Sequence, residues 1–276
     1  MFVLADGNPV HAIRRPYVTW GLIALNVVVF ALQLGGAVPT LELAMLPAHL
    51  TQPAALGPDA AATPFWATLL TYQFLHADAV HLAINMIALW VFGDNIEDSM
   101  GHGRFAVFYL VCGALGGLVQ AALTPYPFVA VIGASGAIAG VMGAYLLLHP
   151  RARVLVLVLN RFPLLVPAWV VIGLAIGGDI VMATQESIEG AAVSVGTVAW
   201  WAHVGGFAGG AGLIVLVRRR DVPLFQPRSA YPEIAFPRFM AWLNGDGASG
   251  WARAARFVLV FAAFAALFAL LELAGL

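Results

Sequence analysis

Seven long runs of apolar residues divide the chain, near 17–36, 80–97, 104–124, 134–149, 162–183, 197–217 and 254–276. Polar and helix-breaking residues gather between these runs and are sparse within them. A helix needs about 20 apolar residues to cross the hydrocarbon core of a bilayer. The pattern therefore predicts an all-α, polytopic membrane bundle of six helices, with a seventh added at the C-terminal end. The 80–97 and 134–149 runs are short for a full span. Short helices are tolerated where their ends reach a water-filled cavity inside the protein. The predicted organisation is a cytoplasmic N-terminal segment (1–16), a six-helix core (17–217), a cytoplasmic linker (218–253) and the seventh membrane helix (254–276). Within the long 37–79 connection, Leu41-Glu42-Leu43-Ala44-Met45-Leu46 suits a short helix lying in the interface.

Composition sharpens this picture. The chain is 62% hydrophobic and 10% charged, whereas a soluble domain carries about a quarter charged residues. A net charge of −1 argues against a general affinity for nucleic acid. The single cysteine, Cys112, leaves no intrachain disulfide and no thiolate metal cluster. The first apolar run follows Arg14 and Arg15, is long and lacks an Ala-x-Ala-type cleavage site, so it reads as a retained helix. All 13 basic residues are arginines. They lie before the first run or around the connections between runs two and three, four and five, and six and seven. The opposite connections, about 37–79, 125–133 and 184–196, contain none. The positive-inside rule then puts the N-terminus in the cytoplasm and the C-terminus outside, with runs two, four and six entering from the outer face.

Polar residues inside the runs supply the candidate chemistry. His81 and Asn85 are four apart and share one face of the second helix. Ser135 stands in Gly133-Ala134-Ser135-Gly136 at the start of the fourth, and His203 lies about two turns into the sixth. All four fall near the outer ends of helices that enter from outside, and costly intramembrane polar groups point to a site facing an internal cavity. A serine needs a base to become a nucleophile, and His203 is the available imidazole. Asn85, the N–H of Ser135 and His81 are candidate donors to an oxyanion. No acidic residue accompanies His203 in its run, which predicts a Ser-His dyad. Gly136, Gly140, Gly206 and Gly210 are small-residue positions for close helix packing. Metal is not expected, because His76 and His81 are five apart with no Glu between them. Asp179 is expected near the outer interface, and Asp94, Glu97 and Asp98 are expected to form a solvated cap at the cytoplasmic end of the second helix.

Several of these residues carry a resemblance. Thr71-Tyr72-Gln73-Phe74-Leu75-His76, His81-Leu82-Ala83-Ile84-Asn85-Met86, Phe92-Gly93 with Glu97, Gly133-Ala134-Ser135-Gly136 and Ala202-His203-Val204-Gly205-Gly206 resemble the rhomboid family of intramembrane serine proteases. The likeness covers roughly 17–217. It implies Ser135 as nucleophile, His203 as general base, and His81 and Asn85 around the oxyanion. It also implies no cofactor, and single-pass transmembrane proteins as substrates cleaved near the outer face of a bacterial inner membrane. Two positions depart from the family pattern. Ala139 stands where many members place an aromatic against the catalytic imidazole, with Trp200 or Trp201 as substitutes, and the 37–79 connection lacks the Trp-Arg pair of some bacterial members. The competing readings are a catalytically silent binder of transmembrane clients and a small-solute transporter.

Overall fold

The structure, a computed structural model, describes residues 2–8, 10–56, 63–158, 162–189 and 198–227. The predicted seventh helix and residues 228–253 of the preceding linker lie outside the described residues. The order is β1 (Phe2–Asp6), α1 (Tyr17–Leu34), α2 (Thr40–Leu43), α3 (Ala48–Thr51), α4 (Phe65–Thr71), α5 (Ala79–Met100), α6 (His102–Leu123), α7 (Ser135–Leu148), β2 (Arg153–Val158), β3 (Phe162–Pro167), α8 (Ala168–Glu189) and α9 (Trp200–Val217). Among the described residues, five helices, α1, α5, α6, α8 and α9, are long and apolar enough to cross a membrane. The sixth, α7, has 14 residues, about 21 Å at the rise of an α-helix. It sits within the bundle, where Ala137, Val141, Ala144 and Leu148 are fully buried.

Apolar burial gives little drive to helix association in lipid, so close approach between helices does much of that work. The tightest pair is α7 against α9. A Cβ on Gly206 would overlap the carbonyl of Gly136, and one on Gly210 would overlap the carbonyl of Gly140. A Cβ on Gly140 would also strike the Cys112 side chain of α6.

The helical class holds for the bundle, and a three-stranded antiparallel sheet ordered β1-β2-β3 is added to it. Val3 pairs with Val156, and Leu155 with Leu165. The N-terminal segment is thus tied to the core: Asp6 Oδ2 accepts from Asn95 Nδ2 of α5 at 2.9 Å and from the Tyr145 hydroxyl of α7 at 2.5 Å. The sheet also corrects the fifth predicted helix. Residues 162–167, including Pro163 and Pro167, form β3, and α8 begins only at Ala168. Pro163 lies near the start of the strand and Pro167 ends it just before α8, where a missing N–H costs the helix no hydrogen bond, so neither kinks a helix.

The acidic residues at the end of α5 are not a solvated cap. Glu97 is fully buried and accepts from the N–H groups of Val18 and Thr19 and from the Thr19 hydroxyl. Its carboxylate satisfies donors that the first turn of α1 leaves open. Asp98 accepts from the N–H groups of His11, Ala12 and Ile13. Gly101, with φ +86, lets α6 start immediately after α5 ends.

The 37–79 connection holds two short helices and α4, and is anchored without an arginine. Met45 and Val131 exchange backbone hydrogen bonds. Thr71 Oγ1 donates to the Leu43 carbonyl at 2.6 Å, and the Gln33 amide both donates to and accepts from the backbone of His76.

Candidate active site

Three helix starts converge at the end of the bundle away from the sheet. Asp78 caps α5 by accepting from the His81 N–H at 2.8 Å, which sets His81 in the first turn and Asn85 one turn deeper. Gly133 has φ +133, a backbone conformation that side chains disfavour, and its N–H donates to the Tyr72 carbonyl. That turn delivers Ser135 as the first residue of α7. His203 falls in the first turn of α9, closer to the helix start than its place in the 197–217 run implies. Gln120 of α6 joins the groups, its side-chain oxygen accepting from the Ala202 N–H at 3.0 Å.

His81, Asn85, Ser135 and His203 all line one cavity of about 600 Å³. His81 and Ser135 approach each other across Gly133. A Cβ at Gly133 would lie 3.0 Å from His81 Nε2 and 3.6 Å from Ser135 Oγ. Among the described residues, Asn85 Nδ2 and His203 Nε2 are buried and have no hydrogen-bond partner, so Ser135 Oγ and His203 are not directly bonded. An unpaired buried donor or acceptor costs about 1–3 kcal/mol. Two of them facing one cavity are free to bond an incoming group. A hydroxyl, an open imidazole nitrogen and an open amide donor are the parts an acyl transfer requires. Among the described residues, no group of three His, Cys, Asp or Glu side chains is arranged to hold a metal ion.

The structure adds a partner for His203 that its own run did not offer, and it decides between the two tryptophans. Asp179 lies midway along α8, and its Oδ2 is 3.1 Å from His203 Nδ1. The aromatic partner of His203 is Trp200, whose ring meets the imidazole edge-on with centroids 5.9 Å apart. Trp201 instead donates from Nε1 to the Ser187 hydroxyl at 3.1 Å.

The family model described as Rhomboid domain matches residues 64–220. This chain belongs to the rhomboid family. It is 37% identical over 134 residues to Rhomboid protease GluP of Bacillus subtilis (strain 168), covering 48% of this chain and 24% of that protein. It is 29% identical over 143 residues to Rhomboid protein 1, mitochondrial, of Saccharomyces cerevisiae (strain ATCC 204508 / S288c), covering 50% and 38%. Presenilin-associated rhomboid-like protein, mitochondrial, of Homo sapiens is 31% identical over 144 residues, covering 51% and 35%. The aligned region thus spans well under half the length of these relatives. The rhomboid fold and the five span-length helices make this an integral membrane protein. Relatives with mitochondrial names stand beside the Bacillus protein, so they do not support the expected bacterial inner membrane.

Proposed function

We propose that this rhomboid is an intramembrane serine endopeptidase that cleaves single-span transmembrane proteins, with residues 17–217 as its protease unit. The observation that carries the reading is the meeting of Ser135, His203 Nε2 and Asn85 Nδ2 on one cavity at the starts of three helices. Ser135 Oγ attacks the scissile carbonyl carbon while its proton passes to His203 Nε2. The carbonyl oxygen becomes an oxyanion, held by the Ser135 N–H, Asn85 Nδ2 and His81. The imidazolium then gives its proton to the leaving amine, and water resolves the acyl-enzyme by the same steps in reverse. Gly136, Gly140, Gly206 and Gly210 act through packing, holding Ser135 near His203.

A client helix hides its carbonyls in hydrogen bonds, so it must unwind locally, and each freed backbone group then needs a partner. The cavity supplies such partners, which favours clients with Gly or Pro beyond the cut. The arginines around the sheet favour an orientation with the opposite, catalytic end at the outer face and the N-terminus in the cytoplasm.

A fluorophosphonate probe tests the reading. Labelling is expected in the wild type and lost in Ser135→Ala and His203→Ala, with cleavage of a single-span reporter in liposomes lost in both. The open distance between Ser135 and His203 favours the second reading, a silent binder of transmembrane clients. Unlabelled wild-type protein that still retains the reporter would establish that reading.

A further inference from the structure

We propose that Asp179 is the positioning residue of the site, so that this rhomboid works with a Ser-His-Asp relay drawn from three helices. The proposal rests on the serine endopeptidase reading above and replaces the expected dyad. His203 Nδ1 lies 3.1 Å from Asp179 Oδ2, within hydrogen-bond range. A carboxylate can only accept, so this bond puts the proton of a neutral imidazole on Nδ1 and leaves a lone pair on Nε2. Among the described residues, Nε2 is the nitrogen that is buried without a partner beside the Ser135 cavity. The hydrogen bond thus selects the tautomer that can accept the serine proton. Once that proton arrives, the carboxylate faces an imidazolium and stabilises it without taking a proton itself.

The setting makes the pair effective. The two side chains are 14% and 20% exposed, so solvent screens them less than it screens a surface ion pair. Trp200 bounds the imidazole edge-on, so the ring is held by a carboxylate at one nitrogen and an indole beside it. That arrangement supplies, at a different place, the orienting contact that the Ala139 position lacks. Asp179 comes from α8, which packs mainly on α9, so the relay also fixes α8 relative to the base.

The test is Asp179→Asn and Asp179→Ala in the full-length protein, with Ser135→Ala and His203→Ala alongside. Cleavage of a single-span reporter in liposomes is resolved into kcat and KM, and the rate of fluorophosphonate labelling is read in parallel. Asn preserves size but can donate to Nδ1, which holds the wrong tautomer. In Asp179→Asn, kcat and the labelling rate are expected to fall together by roughly 10²–10⁴. KM and the thermal midpoint should stay near wild type, a pattern that lost packing alone does not give. Wild-type kcat in Asp179→Asn, or loss of rate only in step with loss of folded protein, would overturn the relay while leaving the protease reading intact. Continued cleavage by Ser135→Ala would bring down that reading and the relay together.

Discussion

In the proposed reading, Asn85 trades stability for a site. Its Nδ2 is buried without a partner among the described residues, so the native state carries an unpaired donor that a passing oxyanion would satisfy. Asn85→Ala is expected to slow cleavage by roughly 10²–10³ and to leave the thermal midpoint unchanged or raised. A large drop in midpoint would instead mark the amide as structural. Two histidines outside the spanning helices should contribute to the acid sensitivity of the fold. Burial holds His76 and His149 down at about 4, with the neighbouring His81 adding to the effect at His76. The unfolded histidines titrate near 6.5. Their contribution is therefore complete above about 6.5 and is lost as pH falls toward about 4, where the unfolded chain binds more protons. The thermal midpoint in detergent should drop between pH 7.5 and pH 4.5, and by less in His149→Gln. Equal slopes for the two proteins would remove His149 from the account.

Among the elements, α7 and α9 depend on glycine at some positions and merely tolerate it at others. Gly206→Ala and Gly210→Ala push a methyl into the backbone of α7, and overpacking of this kind costs about 1–3 kcal/mol or more. Gly212 lies on the same helix as Gly206 and Gly210, with nothing among the described residues within 4 Å of its missing Cβ. Gly212→Ala should be neutral or stabilising, by up to about 1 kcal/mol. Thermal unfolding in detergent separates the cases, and equal midpoints for all three variants would refute the close-packing account. Glu97 and Asp98 act on the same scale, since α5 supplies the acceptors that fix the start of α1 and the segment before it.

Over the whole molecule, chemistry and anchoring occupy opposite ends. The cavity sits at the starts of α5, α7 and α9, and the sheet joins the N-terminal segment to the chain beyond α7. Asp6 ties the two parts, and burial raises its carboxyl well above the usual range. Asp6→Ala would strand the Tyr145 hydroxyl, at about 1–3 kcal/mol, whereas Asn95 Nδ2 keeps its bond to Asp94 Oδ1. A lowered midpoint checks this. The proposed orientation has its own test in a Cys112→Ala background. Phe128→Cys, at a residue 54% exposed, should react with an impermeant maleimide from outside intact cells. Arg151→Cys should react only after lysis, and reaction from outside would reverse the topology.

The chain pattern alone determined the helical bundle, because crossing lipid requires long apolar runs and leaves few alternatives for the backbone. It also singled out His81, Asn85, Ser135 and His203, since polar groups are conspicuous where they are costly. The strand Arg153-Val-Leu-Val-Leu-Val158 was legible in principle from its β-branched alternation. It was absorbed into a connection because a short apolar stretch beside a membrane helix has no distinctive period. Glu97, Asp98 and Asp179 were beyond sequence reasoning for a firmer reason. Their roles depend on partners at Thr19, Ala12 and His203, on other helices or on the segment before α1. A carboxylate at a helix end, or midway along one, gives no sign of what will lie beside it. Only the packing of α5 against α1, and of α8 against α9, decided which acceptor met which donor.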